Sequence, residues 1–159
     1  MTDKIGHLRL QQAITLCETH EHALQEALGD LGKQQLSESD LMQLTKENRR
    51  LLDQFAYRYT RLQDDMGRVL LPAILQVQGE EISEMSVFDR LNRLEQLRWI
   101  ASADEWNDLR NIRNEFTHEY PETATQRYAR FQLALSAAQR VVGILQSMKP
   151  RLDKLINAV

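Results

Sequence analysis

A chain of 159 residues matches one typical domain, long enough to bury a core and too short for two independent ones. Its 42% hydrophobic and 27% charged residues, with six Gly and three Pro, exclude a disordered chain, and a lone cysteine, Cys17, excludes an internal disulfide framework or a cysteine zinc cluster and fits a reducing cytoplasm. The net charge of −3 excludes a protein that coats nucleic acid by charge alone, although eight Lys and Arg against five Asp and Glu from Trp106 to Val159 leave that stretch at +3 and the rest at −6.

The first amphipathic helix is predicted from about Asp3 to Leu28, with Leu10, Ile14, Cys17, Leu24 and Leu28 near the helical period and Gly29 and Gly32 ending it. No stretch approaches the roughly 20 apolar residues of a membrane span, so neither a signal peptide nor an anchor is expected. A second helix begins near Ser39 as N-cap and carries Leu41, Leu44, Leu51, Phe55, Leu62 and Met66 along one side. Pro72 lies within "GRVLLPAILQVQGE", and the spacing favours a helix that continues through it with a kink. Ser86 and Asp89 form an S-x-x-D start signal for a third segment with Phe88, Leu91, Leu94 and Leu97 inward, and Ser102 and Glu105 repeat the signal for a fourth with Trp106, Leu109, Ile112 and Phe116. Pro121 biases the preceding residue away from helix, so this fourth helix should end at about His118 to Tyr120. A last helix is expected from about Thr123 to Met148, with Pro150 separating it from a short tail helix. The architecture this implies is a single all-α domain over residues 1–159, an antiparallel bundle of about five helices with short connections.

The end of the fourth helix reads "RNEFTHEYPE" and gathers chemistry-bearing residues. On an ideal helix Arg110, Asn114 and His118 follow one side, while Arg113 and His118 are about 140° apart. They can serve one substrate if the last turn unwinds before Pro121, or if a second copy supplies the other half across a two-fold axis. Arginine presents a fixed fork of donors suited to phosphate, and histidine is the side chain whose ordinary proton affinity suits acid and base work near neutral pH. Together they match metal-free cleavage of RNA, in which His118 takes or gives the proton and Arg113 stabilises charge on the phosphoryl group, with Asn114 able to orient the imidazole. Taken singly, each residue also reads as ordinary helix surface, since a cation in the last turn is favoured by the helix dipole.

"RNEFTHEY" fits the R-N-x-x-x-H-x-Y pattern of the HEPN family, and the chain resembles the small helical members that pair with minimal nucleotidyltransferases, the HepT toxins and the nucleotidyltransferase substrate-binding proteins. A Trp one turn after the helix start in "SADEWNDLRNIRN" and the long helix after "HEYPETA" agree, so the likeness covers roughly residues 86 to 135. The resemblance implies a HEPN-like fold and a homodimer with the motif at its interface. It further implies a cytoplasmic ribonuclease toxin with Arg113 and His118 as its metal-independent catalytic pair and Asn114 in support. Tyr120 would then be the residue that a partner nucleotidyltransferase antitoxin adenylylates. It implies no cofactor and no metal. It equally fits a non-catalytic substrate-binding subunit of a nucleotidyltransferase, and a purely structural bundle is the third possibility.

Elsewhere, "ENRRLLDQFAYRYTRLQDD" mixes arginines with Tyr57 and Tyr59, a combination able to contact RNA by charge and stacking. Tyr57 and Arg61, with Arg110, are the candidate wall residues; a solvated face with i, i+4 pairs is the plainer reading. His22 with Glu18 is too few ligands for a metal site, and His7, His20 and His22 read as solvated surface. The chain has no glycine-rich phosphate loop, no paired carboxylates of the nucleotidyltransferase type and no serine nucleophile motif, so it is not expected to be the transferase itself.

Overall fold

Hydroxyl side chains punctuate the helices of this chain. Ser37, Thr45, Ser86, Ser102 and Thr123 hold extended backbone and each accepts a hydrogen bond from the amide three residues on, satisfying a donor that the first helical turn leaves open. At Ser37, Ser86 and Thr123 the bond is returned by Asp40, Asp89 and Gln126. The computed structural model describes residues 2–118 and 122–158. It contains α1 (Thr2–Gln34), α2 (Glu38–Met42), α3 (Lys46–Asp65), a π turn (Met66–Leu70), α4 (Leu71–Val77), α5 (Val87–Gln96), α6 (Ala103–Thr117) and α7 (Ala124–Asn157). Among the described residues every regular element is helical.

Three boundaries differ from those the sequence predicts. α1 does not stop at Leu28 but runs through Gly29 and Gly32 to Gln34. Each glycine costs about 0.5 to 1 kcal/mol against alanine, and burial of Leu31 between them, worth about 1.5 to 3 kcal/mol, outweighs that. The helix expected from Ser39 is two helices, because Ser37 caps α2, the chain opens at Gln43, and Thr45 caps α3. At the far end α7 passes through Pro150 without a break. Proline removes one amide donor, but the carbonyl it leaves, on Gln146, belongs to an exposed residue that water can reach, while buried Met148 and Leu152 hold the two sides in register.

Pro72 is accommodated as the spacing suggests, within a continuous helical rod. The π turn just before it places the Leu71 amide on the Met66 carbonyl, a wider register that relieves the crowding a proline ring imposes on the preceding turn.

The rods pack antiparallel. A Cβ at Gly6 would lie 3.6 Å from Val77, whereas His20 of α1 lies beside Arg58 and Asp65, so α1 descends as α3 and α4 ascend. Likewise Glu105 meets Arg140 and Glu115 meets Arg130, so α6 and α7 run in opposite directions. One core draws on all of them, through Leu10 and Leu24, Leu41, Phe55 and Leu62, Ile74, Leu94, Trp106 and Leu145. Phe88, expected inward, is 57% exposed; α5 buries only Leu91 and Leu94 fully. No helix among the described residues is long and apolar enough to cross a membrane.

His20 also departs from expectation: it is 5% exposed rather than solvated. Arg58 Nη1 donates to its Nδ1 at 3.0 Å, which puts the proton of the neutral ring on Nε2, 3.3 Å from Asp65 Oδ2. Burial lowers the proton affinity of His20 below the ordinary value of 6.5, and Arg58 and Arg61 add to this against the pull of Asp65. The unfolded chain therefore binds a proton more readily than the folded one. The stability contributed is complete above pH 6.5 and is lost as pH falls below that value toward the folded one. The urea midpoint should accordingly drop more between pH 8 and pH 5.5 for the parent chain than for His20→Gln, and equal drops would refute the assignment. Close by, Lys149 Nζ donates to buried Glu21 at 2.5 Å, tying α7 to α1.

Candidate functional site

Both ends of α6 are fixed by α7. At its start the carboxylate of Glu105 turns away from the Ser102 cap to take the guanidinium fork of Arg140, at 3.1 Å and 2.8 Å. At its finish Phe116 sits edge-on to Phe55 at 5.7 Å and beside Tyr59 at 5.8 Å, with Phe131 of α7 at 6.3 Å from the same Phe55 ring. The last helical residue is Thr117, and His118 leaves the helix with φ −82° and ψ 135°. The carbonyls freed there are taken by Arg130 of α7, which donates to Glu115 and, at 2.8 Å, to His118, and pairs with Glu122 at 2.7 Å. A cation from a neighbouring helix thus caps the negative end of the α6 dipole.

Arg113 is half-buried and held by two partners. Its Nη2 donates to Asp64 of α3 at 2.6 Å and its Nη1 to Thr117 at 3.3 Å. It stands close enough to the buried Tyr59 to act on the phenol electrostatically, although burial dominates and raises the proton affinity of that phenol. Beside it opens a cleft of about 290 Å³, walled by Asp64, Gly67 and Arg68, by Arg90 and Leu91 of α5, and by Trp106, Arg110, Arg113 and Asn114 of α6. The cleft brings four guanidinium groups to one carboxylate in a chain of net charge −3, a concentration of positive potential suited to an anion.

The motif residues are therefore distributed. Arg110, Arg113 and Asn114 share the cleft, whereas His118 is exposed at the helix end and is not among the cleft's described walls. Tyr120 lies outside the described residues. Tyr57 and Arg61 lie on α3 away from the cleft: Tyr57 is exposed next to His20, and Arg61 pairs with Asp65 at 3.6 Å. From α3 it is Gln63 and Asp64 that reach the cleft. His22 pairs with Glu26 rather than Glu18, and among the described residues no three His, Cys, Asp or Glu side chains gather to hold a cation.

Sequence reasoning missed Asp64, Arg68, Arg90 and Arg130. Each reaches the site from another helix, Asp64 across 49 positions, and no local spacing signals such a pair. Arg68 carried a hint, for it neighbours Gly67 in a helix interrupted by proline, and π turns of this kind are frequent at functional sites. Comparison with known proteins finds no matching family model, curated protein or solved structure.

Proposed function

We propose that this protein is a HEPN-like ribonuclease toxin that cleaves RNA without metal, acts as a homodimer in the cytoplasm, and is silenced by a partner nucleotidyltransferase that adenylylates Tyr120. The observation that supports the reading is the basic cleft at Arg113, with His118 emerging from the end of the same helix. In the step envisaged, the RNA 2′-hydroxyl oxygen bonds to phosphorus and the bond to the 5′ oxygen breaks. His118 takes the hydroxyl proton or protonates the leaving oxygen, and Arg113 donates to the phosphoryl oxygens. Asn114 lies one residue beyond Arg113 on the cleft wall and orients the polar groups there.

A second reading has its own support. The carboxylate of Asp64, at 2.6 Å, already neutralises Arg113 in part, as suits a subunit that presents a surface to a nucleotidyltransferase and cuts nothing. The two separate on one measurement: cleavage of end-labelled total RNA by the full chain in excess chelator, beside His118→Ala and Arg113→Ala. A nuclease cuts under chelation and loses about 10² to 10⁴-fold in His118→Ala. No cutting by the parent, with its tyrosines shown unmodified by intact mass, overturns the nuclease and makes the binding-subunit reading the better one.

A further inference from the structure

Three residues that wall the cleft carry four buried side-chain polar atoms, closed to solvent, that find no protein partner among the described residues. They are both amide atoms of Gln63, the Nε of Arg90 and the Nε of Arg113. Gln63 is only 2% exposed, and folded proteins rarely leave a buried amide unsatisfied on both atoms. The remaining chemistry of the cleft says what would satisfy it. Arg68 and Arg110 are exposed at its rim and supply phosphate donors. Trp106, Leu91 and Pro72 form apolar wall against which a flat ring can lie. At about 290 Å³ the space suits one base with its adjoining phosphate and is too small for a duplex. A carboxamide donates and accepts in one plane, the complement of a nucleobase edge that presents a neighbouring acceptor and donor, as adenine does at N7 and N6.

Resting on the ribonuclease reading above, we propose that the cleft receives one unpaired nucleobase of the RNA. The Gln63 side chain, closed to solvent in this structure, turns toward the base so that its amide reads the hydrogen-bonding edge, and Arg68 and Arg110 hold the adjoining phosphate. Sequence preference is then set on α3, a helix that carries none of the R-N-x-x-x-H-x-Y motif. Single-stranded RNA is the form that offers such an edge, because its bases can be splayed out of a stack.

The test uses the full chain carrying His118→Ala, so that binding is read without cleavage, and four fluorescent seven-nucleotide RNAs that differ only at the central base. Fluorescence anisotropy should show the adenine oligonucleotide binding on the order of tenfold more tightly than the others. Adding Gln63→Leu should bring the four affinities together without weakening the other three, while its melting temperature holds or rises because an unsatisfied amide has gone. Gln63→Glu, which can only accept, should also lose the adenine preference and serves if the leucine variant does not fold. Arg68→Gln should weaken all four equally and flatten the salt dependence. A preference for a different base that disappears in Gln63→Leu supports the role with the base reassigned. Equal binding of all four by the parent, or a preference that survives both Gln63 variants, overturns the assignment of Gln63 alone. No binding of any of the four overturns it together with the ribonuclease reading.

Discussion

On the proposed ribonuclease reading, Arg113→Lys is expected to slow RNA cleavage by about 10² to 10³-fold while the helical fold persists, the scale of losing one preorganised donor at a developing charge. Lysine keeps the positive charge, so a purely electrostatic role for Arg113 predicts a loss of only a few-fold. The geometry argues for the larger effect. One arm of the guanidinium is committed to Asp64 at 2.6 Å, and the other makes only a long bond of 3.3 Å to the exposed Thr117, which a phosphate oxygen can replace. A planar fork can hold Asp64 with one edge and offer another to phosphate. A single ammonium drawn to Asp64 has no second edge to present. Single-turnover rates on end-labelled RNA, with circular dichroism to confirm helicity, decide the matter, and a few-fold loss would remove Arg113 from the reacting centre.

Phe55→Ala should cost about 3 to 5 kcal/mol, the range for removing a fully buried aromatic ring. Phe55 stacks on Tyr59 at 5.5 Å and meets Phe116 and Phe131 edge-on, so one truncation opens a cavity among α3, α6 and α7. Because Phe116 lies one residue before the last of α6, the same change should loosen the backbone that carries His118. On the ribonuclease reading, cleavage should then fall at temperatures where the variant is still folded. Urea denaturation measures the first effect and the temperature profile of cleavage the second; a loss below about 1 kcal/mol would mean that the aromatic cluster does not anchor α6.

Local signals in this sequence proved readable. The Ser86 and Asp89 box, the Ser102 cap and the end of α6 just before His118 all lie where spacing puts them. Each depends on atoms within four residues of one another. Signals that tertiary packing can override read less well. Gly29, Gly32 and Pro150 are helix breakers in isolation, yet α1 and α7 pass through all three because flanking leucines and Met148 are buried. His20 looked like surface because its partners Arg58 and Asp65 come from a different helix.

The site divides along the same line. Arg110, Arg113 and Asn114 share a helix, and their proximity follows from its period. The opposite wall of the cleft, from Gln63 to Arg68 and across to Arg90, exists only once α3 and α5 pack against α6. Tyr57 and Arg61 share α3 with Gln63 and Asp64 but face elsewhere, and a single sequence does not say which face of a helix meets a given neighbour.

The π turn at Met66–Leu70 makes the cleft a matter of counting. A wide turn is one residue more than a regular helix needs at that point. Deleting one of those five residues would let α3 and α4 fuse into an uninterrupted α-helix with the faces on either side still aligned, because the wide turn already absorbs the extra residue. Leu71, Ile74 and Leu75 would still enter the core beside Phe55, Tyr59 and Leu62, and the loss would fall on the turn itself, where Gly67 lies against Trp106. Closing the segment into regular helix at its present length would instead rotate everything beyond it by about 100° and swing those side chains out of the core. The segment should therefore tolerate the loss of one residue better than any change that straightens it at full length.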